Sequence, residues 1–153
     1  MLPLLVVIMA TLLLRGAGHA GIGPWNSWRL ALLHALGAMF VLTGLAHFGP
    51  LQKDLANLLP AGTPMPRVLV ALAGAAQIAG GMALFVHTWR VPAAWMLIAL
   101  ELAKLPANVS AAQHGLSIRG VLPTPPALRV PIVFVWIILI AWAAIARDAP
   151  RNK

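Results

Sequence analysis

Cysteine is absent from the chain, which excludes disulfide exchange, thiolate-held metals and iron–sulfur clusters within it. Tyrosine is absent as well, removing a common radical and proton-relay side chain. Acids are scarce: three Asp and Glu among 153 residues, with 9% of the chain charged against about 25% in an ordinary soluble domain. No phosphate loop, G-x-S-x-G elbow or dinucleotide fingerprint occurs. Long basic runs are missing too, although Lys and Arg total eleven and the formal charge is +8. A nucleic-acid partner would need a basic patch, so no nucleic acid is expected. Scattered basic residues in an apolar chain instead face anionic lipid at the ends of membrane spans.

What is abundant is apolar surface. Hydrophobic residues make up 61% of the chain and the mean hydropathy is +0.88. A single globule of 16.2 kDa cannot hide that much, because small domains bury only about two-thirds of their unfolded surface. A soluble single-domain enzyme and a disordered chain are both excluded, the latter needing low hydrophobicity and high charge. The expectation is an integral membrane protein with the lipid bilayer as its first partner.

Spans of about 20 apolar residues are the unit of such a protein. Residues 28–46, 67–86, 91–107 and 127–146 provide four, and the last is the cleanest. Leu2–Leu14 is an apolar run of about 13 residues, only about 20 Å long as helix. It reads either as a signal-peptide core, though without a basic region before it, or as a span over residues 2–20 with Arg15 snorkelling or buried. The favoured fold is therefore an all-α, polytopic transmembrane helical bundle, forming a single membrane domain over residues 1–153.

With five spans, Arg15, Arg29, Arg90, Arg147, Arg151 and Lys153 share one side. Lys53, Arg67, Arg119 and Arg129 share the other. The positive-inside rule puts the C-terminus in the cytoplasm of a multi-pass inner-membrane protein. Trp25, Trp28, Trp89 and Trp142 cluster on that inner side, where lipid-anchoring tryptophans belong. Prolines at 60, 64 and 66 and at 123, 125 and 126 punctuate the entries to two spans. Residues 50–59 have a helical period, with Leu51, Leu55, Leu58 and Leu59 on one face, and read as a short interfacial helix or a plain loop.

Polar residues inside spans are costly, so each is a functional candidate. Glu101, Lys104 and Asn108 are spaced i, i+3, i+7 on one helical face, and Glu101 is the only acid inside any span. Pro106 between the last two cannot donate to the Leu102 carbonyl. His47, at the end of the second span, lies at the same outer level, and the following loop adds His114. His47, Glu101, Lys104, Asn108 and His114 form the ligand-binding candidate set, suited to a polar headgroup, a proton relay or a quinone ring. The competing reading is structural, with Glu101 and Lys104 neutralising each other in lipid. Gln77 lies mid-span among Gly74, Gly80 and Gly81 and reads as helix-packing glue, as do Gly80 and Gly81 in a small-xxx-small arrangement. Gly37 and Gly44, seven apart, read as a matching stripe on the second span. His34 and His47, 13 positions apart, point about 220° from each other and cannot face one haem. No spacing of ligands points to a metal, and no residue is singled out as catalytic.

The order of these features resembles a known family. GLAHFGP at 44–50 precedes a proline-punctuated loop, then AGAAQIAGGMALFV at 73–86, a basic turn, PANVSAAQHG at 106–115 and LRVP at 128–131. This is similar to the DoxX-like membrane proteins over roughly residues 30–146, with the opening MLPLLVVIMATLLLRGAG like the extra N-terminal helix of a subgroup. The resemblance implies a four-helix core with an added N-terminal helix. It also implies a link to quinone redox chemistry and partners among membrane redox-complex subunits. The chain departs from the pattern at Gln77, where relatives often carry Glu: a Gln can hydrogen-bond there but cannot titrate. The expected role is an accessory component of a quinone-linked membrane system, not catalytic on its own, with quinone as the ligand. The alternatives are a small transporter or lipid-handling protein, and a purely structural assembly subunit.

Overall fold

The computed structural model describes residues 2–60, 62–113 and 126–145, and helix is the only regular structure among them. Helix α1 spans Leu2–His19, α2 Trp28–Ala46, α3 Gln52–Asn57, α4 Pro66–Ala83, α5 Arg90–Gln113 and α6 Pro126–Ile140. A 3-10 turn at His87–Trp89 leads into α5, and a π-helical turn at Ala141–Ile145 ends α6.

Local chemistry explains these boundaries. Ser27 caps α2, its hydroxyl oxygen accepting from the Leu30 N–H at 3.2 Å. Pro66 opens α4, where its missing N–H costs nothing. The π turn widens the last coil of α6 and frees backbone oxygens. The Ala143 carbonyl accepts from Arg29 Nε at 3.0 Å, tying the start of α2 to the end of α6.

Helix α2 is central, packing on α4, α1 and the π turn, while α5 joins α4 to α6. The tightest seam is α2 on α4. A Cβ on Gly81 would stand 2.7 Å from the Gly37 carbonyl, and one on Gly44 2.8 Å from the Gly74 carbonyl. Gly37 and Gly44 thus face Gly81 and Gly74 in antiparallel register, backbone against backbone. Gly80 turns the other way, toward Leu97 and Met96 of α5. The continuous core runs from Val7 through Leu33, Leu36 and Phe40 to Leu97 and Ile140.

The outside is as apolar as the inside. Among the described residues, 28 large hydrophobic side chains are exposed and 21 apolar residues are buried. Two helices, Trp28–Ala46 and Pro66–Ala83, are long and apolar enough to cross a membrane. Of the other three expected spans, Pro3–His19 and Val130–Ile145 are apolar but shorter. Arg90–Gln113 has the length without the apolarity, since it carries Glu101, Lys104 and a polar final stretch. That helix also runs past the expected end at residue 107, with Pro106 inside it.

Trp25 departs from its expected lipid-anchoring role. Its indole N–H donates to His34 Nδ1 at 2.6 Å, and the His34 ring stacks on Phe85 with centroids 5.1 Å apart. This fastens the α1–α2 connection to α2 and to the turn that follows α4. Trp28, Trp89 and Trp142 are exposed, and the Arg15 guanidinium lies 5.6 Å from the centre of the Trp28 ring.

Candidate functional site

A cavity of about 490 Å³ opens where the C-terminal end of α2 meets α3, α4 and α5. Its walls are helical stripes. From α5 come Leu100, Ala103, Lys104 and Ala107, and from α4 Leu69, Leu72, Ala73 and Ala76, each set spaced i, i+3, i+4, i+7. Alanines on both walls leave the space, because two helices meeting through larger side chains would fill it. Leu55, Leu58 and Leu59 from α3 and the turn after it form the roof. Within the 50–59 stretch Gln52–Asn57 is helical, and Leu55, Leu58 and Leu59 of its leucine face cover the cavity. Its volume falls in the range of about 300–1,000 Å³ typical of small-molecule sites.

Among the described residues, two polar side chains, Lys104 and His47, reach this apolar space. Lys104 Nζ pairs with Glu101 Oε1 at 2.5 Å, an i, i+3 contact along α5. The Glu101 side chain is 9% exposed and that of Lys104 26%, so the acid is the buried anchor and the lysine the accessible head. Glu101 is not among the wall residues. It lies one position, or about 100°, around the helix from Leu100, off the lining stripe.

His47 caps the end of α2, and its ring Nδ1 lies 2.8 Å from the Thr43 carbonyl. A carbonyl only accepts, so Nδ1 carries the proton and Nε2 is left as the acceptor of the neutral ring. Burial chiefly, and the Lys104 charge in addition, hold the imidazole below its ordinary pKa of 6.5, against raising effects from the Thr43 carbonyl and Glu101. Among the described lining residues the cavity therefore offers Lys104, paired with Glu101, as a donor and the His47 Nε2 as an acceptor. Gly74 fixes the position of the histidine: a Cβ there would lie 2.5 Å from the His47 Cβ.

Among the sequence candidates, His47 and Lys104 line the same cavity, and Glu101 pairs with Lys104. Asn108 follows Ala107 on α5, but its side chain, like His114, lies outside the described residues. Gln77 is 3% exposed, and its Oε1 is buried without a hydrogen-bond partner. Gly80 against Leu97 sets the antiparallel α4–α5 register, which brings Gln77 level with residues 100–101 of α5, at the lower edge of the cavity walls where Ala76 and Leu100 lie. The alanine walls and the leucine roof were not among the sequence candidates. The leucine periodicity of 50–59 was the available signal for the roof.

The molecule is thus an all-helical chain with an apolar cavity whose polar groups are a paired lysine and a neutral histidine. It belongs to the family described as a domain of unknown function (DUF8561), which matches residues 36–147, from within α2 to just past the π turn after α6 and including every described cavity residue. No curated protein and no solved structure matches the chain.

Proposed function

We propose that the chain is a polytopic inner-membrane bundle whose cavity holds the headgroup and first tail carbons of an amphiphile, with a membrane quinone as the ligand. In this reading it is a DoxX-like accessory component of a membrane redox system and does no chemistry alone. The observation that carries the reading is the cavity itself: apolar walls with Lys104 and His47 as its two polar groups. A quinone presents carbonyl oxygens that accept from an ammonium. Its reduced form presents hydroxyls that donate to a neutral imidazole. A prenyl tail suits leucine and alanine walls. The outward-facing apolar side chains on α1, α4 and α6 support multiple passes through lipid, and the sorting of basic residues supports a cytoplasmic C-terminus.

The lipid-handling reading uses the same cavity, with the Lys104 charge favouring an anionic headgroup. Purification in a mild detergent, followed by mass spectrometry of copurified molecules, separates the readings. A bound quinone, lost in an Ala73→Phe variant that fills the wall, is the expected result. Phospholipid in its place, lost in the same variant, favours lipid handling. Neither molecule in wild-type protein removes the proposal.

A further inference from the structure

The two polar side chains of the large cavity are not equivalent. Lys104 can only donate: an ammonium has three N–H groups, and Glu101 Oε1 takes one of them. Two remain for a ligand oxygen. His47 is the opposite case. Its Nδ1 is committed to the Thr43 carbonyl, which leaves Nε2 as an acceptor, and no partner for Nε2 occurs among the described residues.

The acceptor is also held in place. A Cβ built on Gly74 would stand 2.5 Å from His47 Cβ and 3.1 Å from its Cγ, so the backbone of α4 backs the side chain. The Thr43 carbonyl fixes the ring from its other edge. The Lys104 charge acts on the imidazole, which sets donor and acceptor in one region of the cavity. The rest of the described lining is leucine, valine and alanine, which offers a ligand no other polar side chain.

A hydroxyl satisfies both groups through one oxygen, accepting from the ammonium while its proton goes to Nε2. A carbonyl oxygen satisfies the ammonium alone and turns a lone pair toward the imidazole nitrogen. We infer that the cavity selects a hydroxyl-bearing headgroup and so holds the quinol in preference to the quinone, with His47 setting the choice. That preference presupposes that this cavity is the quinone site. The quinone still binds, through Lys104, but about tenfold or more weakly, because the His47 acceptor is left unpaired. Tighter binding of the reduced form makes the bound quinone easier to reduce.

The test compares two probe pairs on the full-length protein in maltoside micelles. One pair is para-heptylphenol and para-heptylanisole, of which only the phenol donates. The other is a fully substituted benzoquinone with one prenyl unit and its quinol, kept reduced under argon. Affinities come from the rise in the temperature at which the protein loses its elution peak, as a function of probe concentration. The phenol and the quinol should each bind at least tenfold tighter than their partners. His47→Phe should equalise the members of each pair, and Lys104→Met should weaken all four. Phenol preferred over anisole with neither quinone nor quinol bound removes the quinone reading and keeps the hydroxyl selectivity. Equal affinities within either pair that binds, tighter quinone than quinol, or a preference unchanged in His47→Phe overturns the selectivity and leaves the quinone reading standing. Binding of none of the four overturns both. Helical circular dichroism establishes that each variant is folded, and the wild-type comparison carries the test if His47→Phe is not.

Discussion

Separating Glu101 from Lys104 should destabilise the fold unequally, and the inequality follows from their exposures. Lys104→Met leaves a carboxylate side chain that is 9% exposed with its ion-pair partner gone. Removing one member of a buried pair costs about 3–5 kcal/mol, and the low end, about 3 kcal/mol, applies because the lost partner was itself part-exposed. Glu101→Gln leaves the ammonium, whose side chain is 26% exposed on a flexible stem and can turn toward the cavity mouth. Its cost should be about 1 kcal/mol, the worth of one hydrogen bond. The double variant Glu101→Gln, Lys104→Met strands no charge and should fall near the milder single variant. The assay is reversible unfolding in mixed micelles, followed by the six tryptophans, as a double-mutant cycle. Equal costs for the two single variants, or a larger cost for Glu101→Gln, would refute the assignment of Glu101 as anchor and Lys104 as head.

Other outcomes follow from the same packing. Gly74→Val should cost about 1–3 kcal/mol by overpacking against His47 and the Gly44 carbonyl, whereas Gly16→Ala, with nothing within 4 Å of its new carbon, should stabilise by up to about 1 kcal/mol; thermal unfolding of the two variants compares them. The depressed pKa of His47 means that the unfolded chain binds its proton first. The contribution of His47 is thus complete above the ordinary histidine pKa of 6.5 and declines as pH falls through the lower folded value, so His47→Gln should flatten the stability profile below pH 6.5. Trp25→Phe should cost about 1–3 kcal/mol by leaving His34 Nδ1 without its donor, measurable as a lower unfolding midpoint.

Much of the helical arrangement was legible because it rests on local chemistry and on glycine. The capping serine, the proline at the start of α4 and the seven-residue spacing of Gly37 and Gly44 are sequence facts with direct structural consequences. The partner stripe, Gly74 and Gly81, is seven apart as well, which antiparallel helices in backbone contact require. The end of α5 was less legible. Pro106 forfeits one backbone hydrogen bond without stopping a helix, and α5 continues to Gln113. Trp25 was misread because its hydrogen bond to His34 depends on how the α1–α2 connection folds back, which periodicity does not encode. At the site, the common level of His47 and Lys104 follows from counting along antiparallel helices. Which face of α5 forms the wall does not: it depends on the tilt of α4 and the placement of α3. The lining stripe therefore falls on Leu100 and Lys104, and Glu101 is left behind them.

Photo-cross-linking with a short-tailed azidoquinone in lipid nanodiscs tests the cavity assignment most directly. The account predicts labelled peptides from the α3 segment and from the α4 and α5 walls. The yield should fall with excess unlabelled quinone and in Ala73→Phe and Lys104→Met proteins, the latter judged on its folded fraction. Labelling confined to the exposed faces of α1 or α6, or labelling of the cavity walls unchanged by Ala73→Phe, would contradict it.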